Sequence, residues 1–178
     1  MDFKKNILYN TLLKYYDTKE NFESFVNILK ENSSISLRLI DWFVTKYAKC
    51  NEIRYLWQGK DFHVHNQYKS QLKAYSKRHI DPFCRRERII LQKNGMEIMT
   101  TIGQMNFFRW AIENGILHYI LNNFQILDVQ MRSENRKKMS KKNIKVQQTS
   151  TSYKDVPKTN SQKKSFTKKY QSITISFD

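Results

Sequence analysis

The sequence predicts an α+β fold, a mostly helical small domain with one β-hairpin over residues 1–128, followed by a disordered basic tail over residues 129–178. Apolar side chains recur at helical spacing through most of the first part. An Asn94-Gly95 pair joins two apolar-rich runs, which is typical of a tight hairpin turn. From Val129 onward the apolar periodicity is lost. A hairpin next to helices also suits a winged-helix arrangement, although many small domains share that order.

The composition indicates one domain and a polyanionic partner. The 178 residues carry 32 Lys or Arg against 16 Asp or Glu, a net charge of +16. That charge exceeds what solubility requires and points to the phosphate backbone of DNA or RNA. Two cysteines are too few for a disulfide framework, which favours an intracellular compartment. No apolar run reaches the roughly 18 residues of a membrane span, and the N-terminus lacks a signal-peptide pattern, so no membrane association is expected.

The N-terminal third of the chain predicts core-facing helices. Residues 2–31 suit one or two short amphipathic helices, and residues 37–49 suit a stronger one with serine N-caps before it. On the polar face of this stronger helix Trp42 falls between three cations. An exposed ring in that position would stack on a base or anchor a partner, and packing against another part of the chain is the alternative. The cations are Arg38, Lys46 and Lys49.

Four histidine or cysteine side chains lie near the middle of the chain. Residues 62–65 alternate like a short strand, which would place His63 and His65 on one side. Together with His79 and Cys84 they could form a zinc site. Their spacing, however, matches no standard zinc finger or zinc ribbon. Neither a metal nor another cofactor is therefore expected.

Residues 69–93 hold the candidate nucleic-acid-binding segment. They contain eight Lys or Arg against two acids, a net charge of +6 that equals the net charge of all residues before 129. A helix ending near Asp81-Pro82 would dock by Tyr68, Leu72 and Tyr75 and present a lysine stripe to solvent. With the cations around Trp42 and that residue itself, the candidate contacts are Lys69, Lys73, Lys77, Arg78, Arg85, Arg86, Arg88, Arg38, Trp42, Lys46 and Lys49.

The second half of the domain predicts the hairpin and two further helices. The hairpin covers residues 88–101. Thr101 and Gln104 have capping-box spacing before an apolar helix, on whose polar strip Arg109 and Glu113 can pair. Gly115 permits a break before a last apolar helix.

The tail differs in charge and ends in a distinct motif. Residues 129–178 hold 13 Lys or Arg and three acids, with too little apolar surface to offset the entropy of ordering. Near the C-terminus Ile173, Ile175 and Phe177 alternate with hydroxyl residues, which is typical of a short strand. Such a strand needs a sheet edge, so the motif predicts docking on a partner protein, with docking on the chain's own hairpin or no ordered structure as the alternatives.

Sequence motifs of common enzymes are absent. There is no phosphate-binding glycine loop, no zinc-protease helix and no serine-hydrolase elbow, so a non-enzymatic role is expected. Two alternatives to nucleic-acid binding stay open. One is a scaffold adaptor that binds acidic proteins, and the other is an enzyme acting on nucleic acid whose motif is not recognisable.

Three stretches resemble an uncharacterised protein group of nucleocytoplasmic large DNA viruses. They are RLIDWFVTKYAK, YKSQLKAYSKRHIDPFCRRERI and TTIGQMNFFRWAIENGILHYI, and the resemblance spans roughly residues 35–125. It implies a viral setting, either a replication site in the host cytoplasm or the virion, where DNA and transcripts are abundant polyanions. In that setting the adaptor would be a virion or scaffold adaptor, and the partner of the C-terminal motif would be a viral protein. The resemblance implies no catalytic residues.

Overall fold

Helices make up most of the structure, which confirms the predicted fold class. The structure, a computed structural model, describes residues 3–30, 33–93 and 95–151. The helices are α1 (Phe3–Tyr15), α2 (Lys19–Leu29), α3 (Leu37–Trp42), a π-helical turn (Phe43–Tyr47), α4 (Ala48–Cys50), α5 (Val64–Tyr75), α6 (Ile102–Glu113), α7 (Ile116–Asn122) and α8 (Phe124–Thr151). The strands are β1 (Arg54–Trp57), β2 (Lys60–His63), β3 (Arg88–Lys93) and β4 (Met96–Thr101).

Helix α6 forms the centre of the core. Its residues 102–108 are all buried, and it packs against α1, α2, α7 and β4. The ring of Phe108 lies 5.7 Å from that of Phe25 in α2, and the ring of Trp110 lies 5.5 Å from that of Tyr68 in α5. Each fully buried aromatic side chain contributes about 1.5–3 kcal/mol through the apolar surface it removes from water. Elements from both ends of the sequence are therefore fixed onto this helix.

The predicted hairpin over residues 88–101 is confirmed. Strands β3 and β4 pair antiparallel, with Arg88 opposite Thr101 and Lys93 opposite Met96. Gly95 in the turn has a φ of +73°, a left-handed conformation that glycine adopts without steric cost.

A second hairpin, β1–β2, is not apparent from apolar alternation in the sequence. Its two-residue turn has Gln58 at a φ of +48° and Gly59 at +76°, so both central residues are left-handed. Positive φ at both positions is the geometry that two-residue hairpin loops favour. The signal was weak because Gln is rarely found there.

The strand predicted over residues 62–65 is wrong beyond His63, because α5 begins at Val64. The His63 ring supplies the reason. Its Nδ1 accepts a hydrogen bond from the backbone N–H of Asn66 at 3.4 Å, so His63 acts as the N-cap of α5. His65 consequently lies in the first helical turn rather than beside His63 on a strand.

Helix α5 docks as predicted but ends early. Tyr68 is buried and Leu72 and Tyr75 are half-buried against the core. The helix stops at Tyr75 because Ser76 has a φ of +55°, which a right-handed helix cannot contain. The expectation that Lys77 continues the helical lysine stripe is therefore wrong, and Lys77 lies in the following turn.

The domain boundary predicted at residue 128 falls inside α8, and the disorder predicted for residues 129–151 is corrected to helix. Leu127 and Met131, four residues apart, are both buried and fix the helix to the core. Polar residues such as Lys, Arg, Gln and Glu cannot form a core, yet they are good helix formers. Low hydrophobicity in residues 129–151 is therefore no evidence against a helix.

The chain divides into two units, Met1–Lys137 and Lys138–Asp178. The C-terminal motif of Ile173, Ile175 and Phe177 lies outside the described residues, as does all of the tail beyond residue 151. Within the described part, no helix has both the length and the apolar character that a bilayer crossing requires.

Candidate nucleic-acid interface

The predicted basic segment forms a loop that is pinned to the first turns of α6. Residues 76–87, here called the basic loop, connect α5 to β3. Two buried polar side chains of α6, Gln104 and Asn106, donate hydrogen bonds to backbone carbonyls of the loop. The three tethers are Gln104 Nε2 to Pro82 O (2.9 Å), Asn106 Nδ2 to His79 O (2.9 Å) and Asp81 N to Gly103 O (3.1 Å). The basic loop therefore has a fixed backbone despite its charge.

The capping-box spacing at Thr101 and Gln104 is used in only one direction. The Thr101 hydroxyl oxygen accepts from the backbone N–H of Gln104 at 3.1 Å, which caps α6 as predicted. The Gln104 side chain accepts from the Thr100 hydroxyl at 2.8 Å, and this bond leaves its amide N–H free to reach the basic loop. The capping signal thus marked a residue whose side chain positions the candidate site.

Asp81 organises the arginines that follow it. Its buried carboxylate accepts two hydrogen bonds from Arg85, at 2.9 and 3.1 Å, and one from the backbone N–H of Phe83. The Arg85 guanidinium also lies over the Phe83 ring at 4.5 Å from its centroid. These bonds to Asp81 raise the pKa of Arg85 above its usual value. Arg85 is therefore largely engaged in holding the loop, although its side chain remains partly exposed.

A cleft of about 300 Å³ opens where the basic loop meets α1, β3 and the start of α6. We call this the arginine cleft. Arg78 and Arg86, from opposite ends of the basic loop, both line it. The remaining lining residues are Lys5, His79, Glu87, Ile89, Thr101, Ile102 and Gly103.

Charge in the arginine cleft is positive in sum. Lys5 forms an ion pair with Glu87, and this contact lowers the pKa of that carboxyl. Arg78 and Arg86 are both exposed, and among the described residues neither has an ion-pair partner. Two unneutralised guanidinium groups in one concavity concentrate positive potential there.

The lysines of α5 form a second exposed group. Lys69 and Lys73 are solvent-exposed on α5, and Lys49 is exposed near the end of α4. Burial, followed by the charges of Lys49 and Lys69, lowers the pKa of His65. The structure therefore brings Lys49, from one sequence cluster, near Lys69, from the other.

Trp42 is not the exposed ring that the sequence predicted. It is 8% exposed, and its ring lies 5.1 Å from that of Tyr47. Its indole N–H donates to Glu134 of α8 at 3.3 Å, and Lys46 forms an ion pair with the same carboxylate. The predicted stacking of Trp42 on a base is therefore wrong, because α8 covers the face where Trp42 lies.

Arg38 and Arg88 are the remaining predicted contacts. Arg38 is exposed on α3, and Arg88 is the first residue of β3, directly opposite Thr101 of the arginine cleft. Sequence reasoning missed Lys5, since nothing in a short amphipathic helix signals its distant partner Glu87. Across the described part of the chain, no three His, Cys, Asp or Glu side chains are grouped so that they could hold a metal ion.

Comparison with known proteins supplies relatives without an assigned activity. A family model described as Family of unknown function (DUF7197) matches residues 2–177. The chain is 37% identical over 149 residues to Uncharacterized protein L507 of Acanthamoeba polyphaga mimivirus. The aligned stretch covers 78% of this chain and 55% of that protein, so the chain spans about half the length of the curated relative it matches. No solved structure matches the chain. The mimivirus relative confirms the resemblance to an uncharacterised group of large DNA viruses.

Proposed function

The chain belongs to the Family of unknown function (DUF7197), and we propose that it is a non-enzymatic nucleic-acid-binding protein of a large DNA virus, associated with the genome or with transcription. One observation carries the proposal. Arg78 and Arg86 line one cleft, and neither is neutralised by a carboxylate in the described part of the chain. Proteins usually pair or disperse such charges unless a ligand supplies the counter-charge.

Arginine is the side chain best matched to phosphate. Its planar guanidinium offers parallel N–H donors to two phosphate oxygens and stays charged at every physiological pH. The hydrogen bonds from Gln104 and Asn106 hold the backbone between Arg78 and Arg86, so little order has to be gained on binding.

The exposed lysines extend this surface along the chain. Lys69 and Lys73 on α5 and Lys77 in the next turn are exposed, and each can neutralise a further phosphate. Contacts of this kind release counterions from the nucleic acid and confer affinity without base preference. We therefore expect strong salt dependence and little sequence specificity.

The test is filter binding of the full chain to duplex DNA, single-stranded DNA and RNA across a salt series. The variant Arg78→Gln/Arg86→Gln should weaken binding and flatten the salt dependence by up to about 0.9 per lost phosphate contact on duplex DNA. Arg54→Gln/Lys60→Gln is the matched control, because it removes two equally exposed positive charges from the β1–β2 hairpin.

Equal salt slopes for the two double variants would refute a role for the arginine cleft. Absence of binding at about 50 mM salt would favour the adaptor for acidic proteins. Turnover of the nucleic acid with added divalent metal would favour an enzyme and contradict the non-enzymatic role.

A further inference from the structure

The arginine cleft is lined by both basic and apolar side chains. Arg78 and Arg86 supply the positive charge, while Ile89 and Ile102 supply apolar surface. A volume of about 300 Å³ lies at the lower end of the range for small-molecule sites, which are mostly apolar with a few well-placed polar groups. A flat surface that only follows a phosphate backbone needs neither the concavity nor the apolar lining residues.

The backbone that carries the two arginines is tied to other elements. Arg78 comes immediately before His79, whose carbonyl accepts from Asn106, and its own carbonyl lies against Gly103. At the other end of the basic loop, Arg86 precedes Glu87, which pairs with Lys5 of α1. The chain that carries both arginines is thus anchored to other elements, which favours a preformed binding site.

The start of α6 adds to the preference of the cleft for anions. Thr101, the N-cap, and Ile102 and Gly103 in the first turn of this 12-residue helix all line the cleft. Backbone N–H groups at the start of a helix carry partial positive charge. This contribution reinforces the two arginines, which carry the inference together with the shape of the cleft.

We propose that the arginine cleft binds one nucleotide unit, with its phosphate held by Arg78 and Arg86 and its sugar or base against Ile89 and Ile102. This inference rests on the proposed function and names the part of the nucleic acid that enters the cleft. A cleft of this volume holds a single nucleotide unit. It therefore suits a phosphomonoester, whose phosphate is joined to the nucleic-acid strand on one side at most. The source is either the 5′-phosphorylated end of a strand or a free mononucleotide.

The experiment measures binding of the full chain to three probes at one salt concentration. The probes are a short 5′-phosphorylated DNA strand, the same strand with a 5′-hydroxyl, and AMP. The variants are Arg78→Gln/Arg86→Gln and Lys69→Gln/Lys73→Gln, which remove the same charge from inside and outside the cleft. Circular dichroism of both variants checks that these exposed substitutions leave the fold intact.

The wild type should bind the phosphorylated strand several-fold more tightly than the hydroxyl strand, or bind AMP at millimolar concentration or below. The cleft variant should lose the preference for the phosphorylated strand or the binding of AMP, whichever the wild type shows. The lysine variant should retain it. If the cleft variant loses only the preference for the phosphorylated strand, the ligand of the cleft is a strand end. If it loses the binding of AMP, the ligand is a free nucleotide.

Two results would overturn the inference. In the first, the wild type does not bind AMP and binds the two strands with equal affinity. In the second, both variants retain the preference for the 5′-phosphate. In either case salt-dependent binding of long nucleic acid that is weakened by the lysine variant would leave the proposed function standing. Loss of all salt-dependent binding would instead remove the proposed function itself.

Discussion

Gly103 lies so close to Arg78 that a Cβ atom on the glycine would be 3.0 Å from the Arg78 carbonyl oxygen. The first turn of α6 and the basic loop are therefore in direct backbone contact. The neighbouring hydrogen bond from Asp81 N to Gly103 O, at 3.1 Å, closes the same contact from the other side. Glycine permits this approach because it has no side chain, and the position of Arg78 in the cleft depends on it.

Gly103→Ala should impair the arginine cleft more than it impairs folding. Alanine is favoured over glycine in a helix by about 1 kcal/mol, which offsets the cost of displacing the Arg78 carbonyl by a few tenths of an ångström. We expect a small change in the free energy of unfolding in urea but a several-fold loss of the 5′-phosphate preference. Unchanged nucleotide binding would mean that the loop backbone does not set the geometry of the cleft.

Local signals in the sequence predicted much of the fold. The hairpin over residues 88–101 was correct at both ends because Asn94-Gly95 fixes a turn by its own backbone preference. The N-cap at Thr101 and the docking face around Tyr68 were correct for the same reason, since capping and helical periodicity act within a few residues.

Long-range contacts explain what the sequence could not predict. Trp42 lies on the polar face of its own helix and is covered by α8, where Glu134, 92 residues later in the chain, accepts a hydrogen bond from its indole N–H. The pairing of Lys5 with Glu87 joins residues 82 positions apart. The left-handed Ser76 that ends α5 also has no signal of its own, because serine rarely adopts positive φ.

Gly115→Ala should be among the most destabilising alanine substitutions in the described structure. Gly115 has a φ of +66°, and an added Cβ would lie 2.4 Å from the Trp57 ring. The indole N–H of Trp57 donates to the Glu113 carbonyl at 2.8 Å, so the ring cannot move aside without losing that bond. We expect a loss of about 2–4 kcal/mol in the free energy of unfolding, from backbone strain and overpacking together.

Gly59→Ala is the matched control for Gly115→Ala. Its φ is +76° and nothing lies within 4 Å of an added Cβ, so only the backbone strain of about 1–2 kcal/mol applies. Urea unfolding of both variants measures the difference. Equal losses would show that Trp57 does not pack over Gly115 in solution.

Glu134→Ala should loosen the attachment of α8 to α3. The carboxylate of Glu134 accepts from Trp42 and pairs with Lys46, so its removal leaves a buried indole N–H without an acceptor. We expect a loss of about 1–2 kcal/mol in the free energy of unfolding. Arg132→Ala breaks a pair between an exposed guanidinium and the half-buried Asp128 on the same helix, and it should cost no more than about 1 kcal/mol.

A double-mutant cycle isolates the contact between Trp42 and Glu134. Trp42→Phe keeps an aromatic ring but removes the N–H donor, so the cycle with Glu134→Ala measures the hydrogen bond apart from the Lys46 ion pair. We expect a coupling of about 0.5–1.5 kcal/mol. Additive effects of the two substitutions would contradict the hydrogen bond.

Asp41 of α3 is a carboxylate that the fold holds against its preference for water. Its side chain is half-buried, and burial raises its pKa from 3.8, even though Lys77 and Arg85 act in the opposite direction. A nearby second carboxylate, Asp81, adds to the rise. The folded state therefore favours neutral Asp41 more than the unfolded state does.

Asp41→Asn should stabilise the protein at pH 7 and strengthen its binding to nucleic acid. Because the folded pKa is raised, the favourable contribution of protonated Asp41 is fully present below 3.8 and is lost as the pH rises through the folded pKa. The neutral amide keeps that contribution at pH 7, so the gain in the free energy of unfolding over wild type should shrink towards zero as the pH falls below 3.8.

Removing the negative charge of Asp41 near Lys77 and Arg85 should also tighten DNA binding at low salt, and added salt should diminish this effect by screening. Thermal unfolding and filter binding of this variant, beside Asp61→Asn at an exposed site, measure both effects. A pH-independent difference in stability, or the same gain in both variants, would contradict the role given to burial.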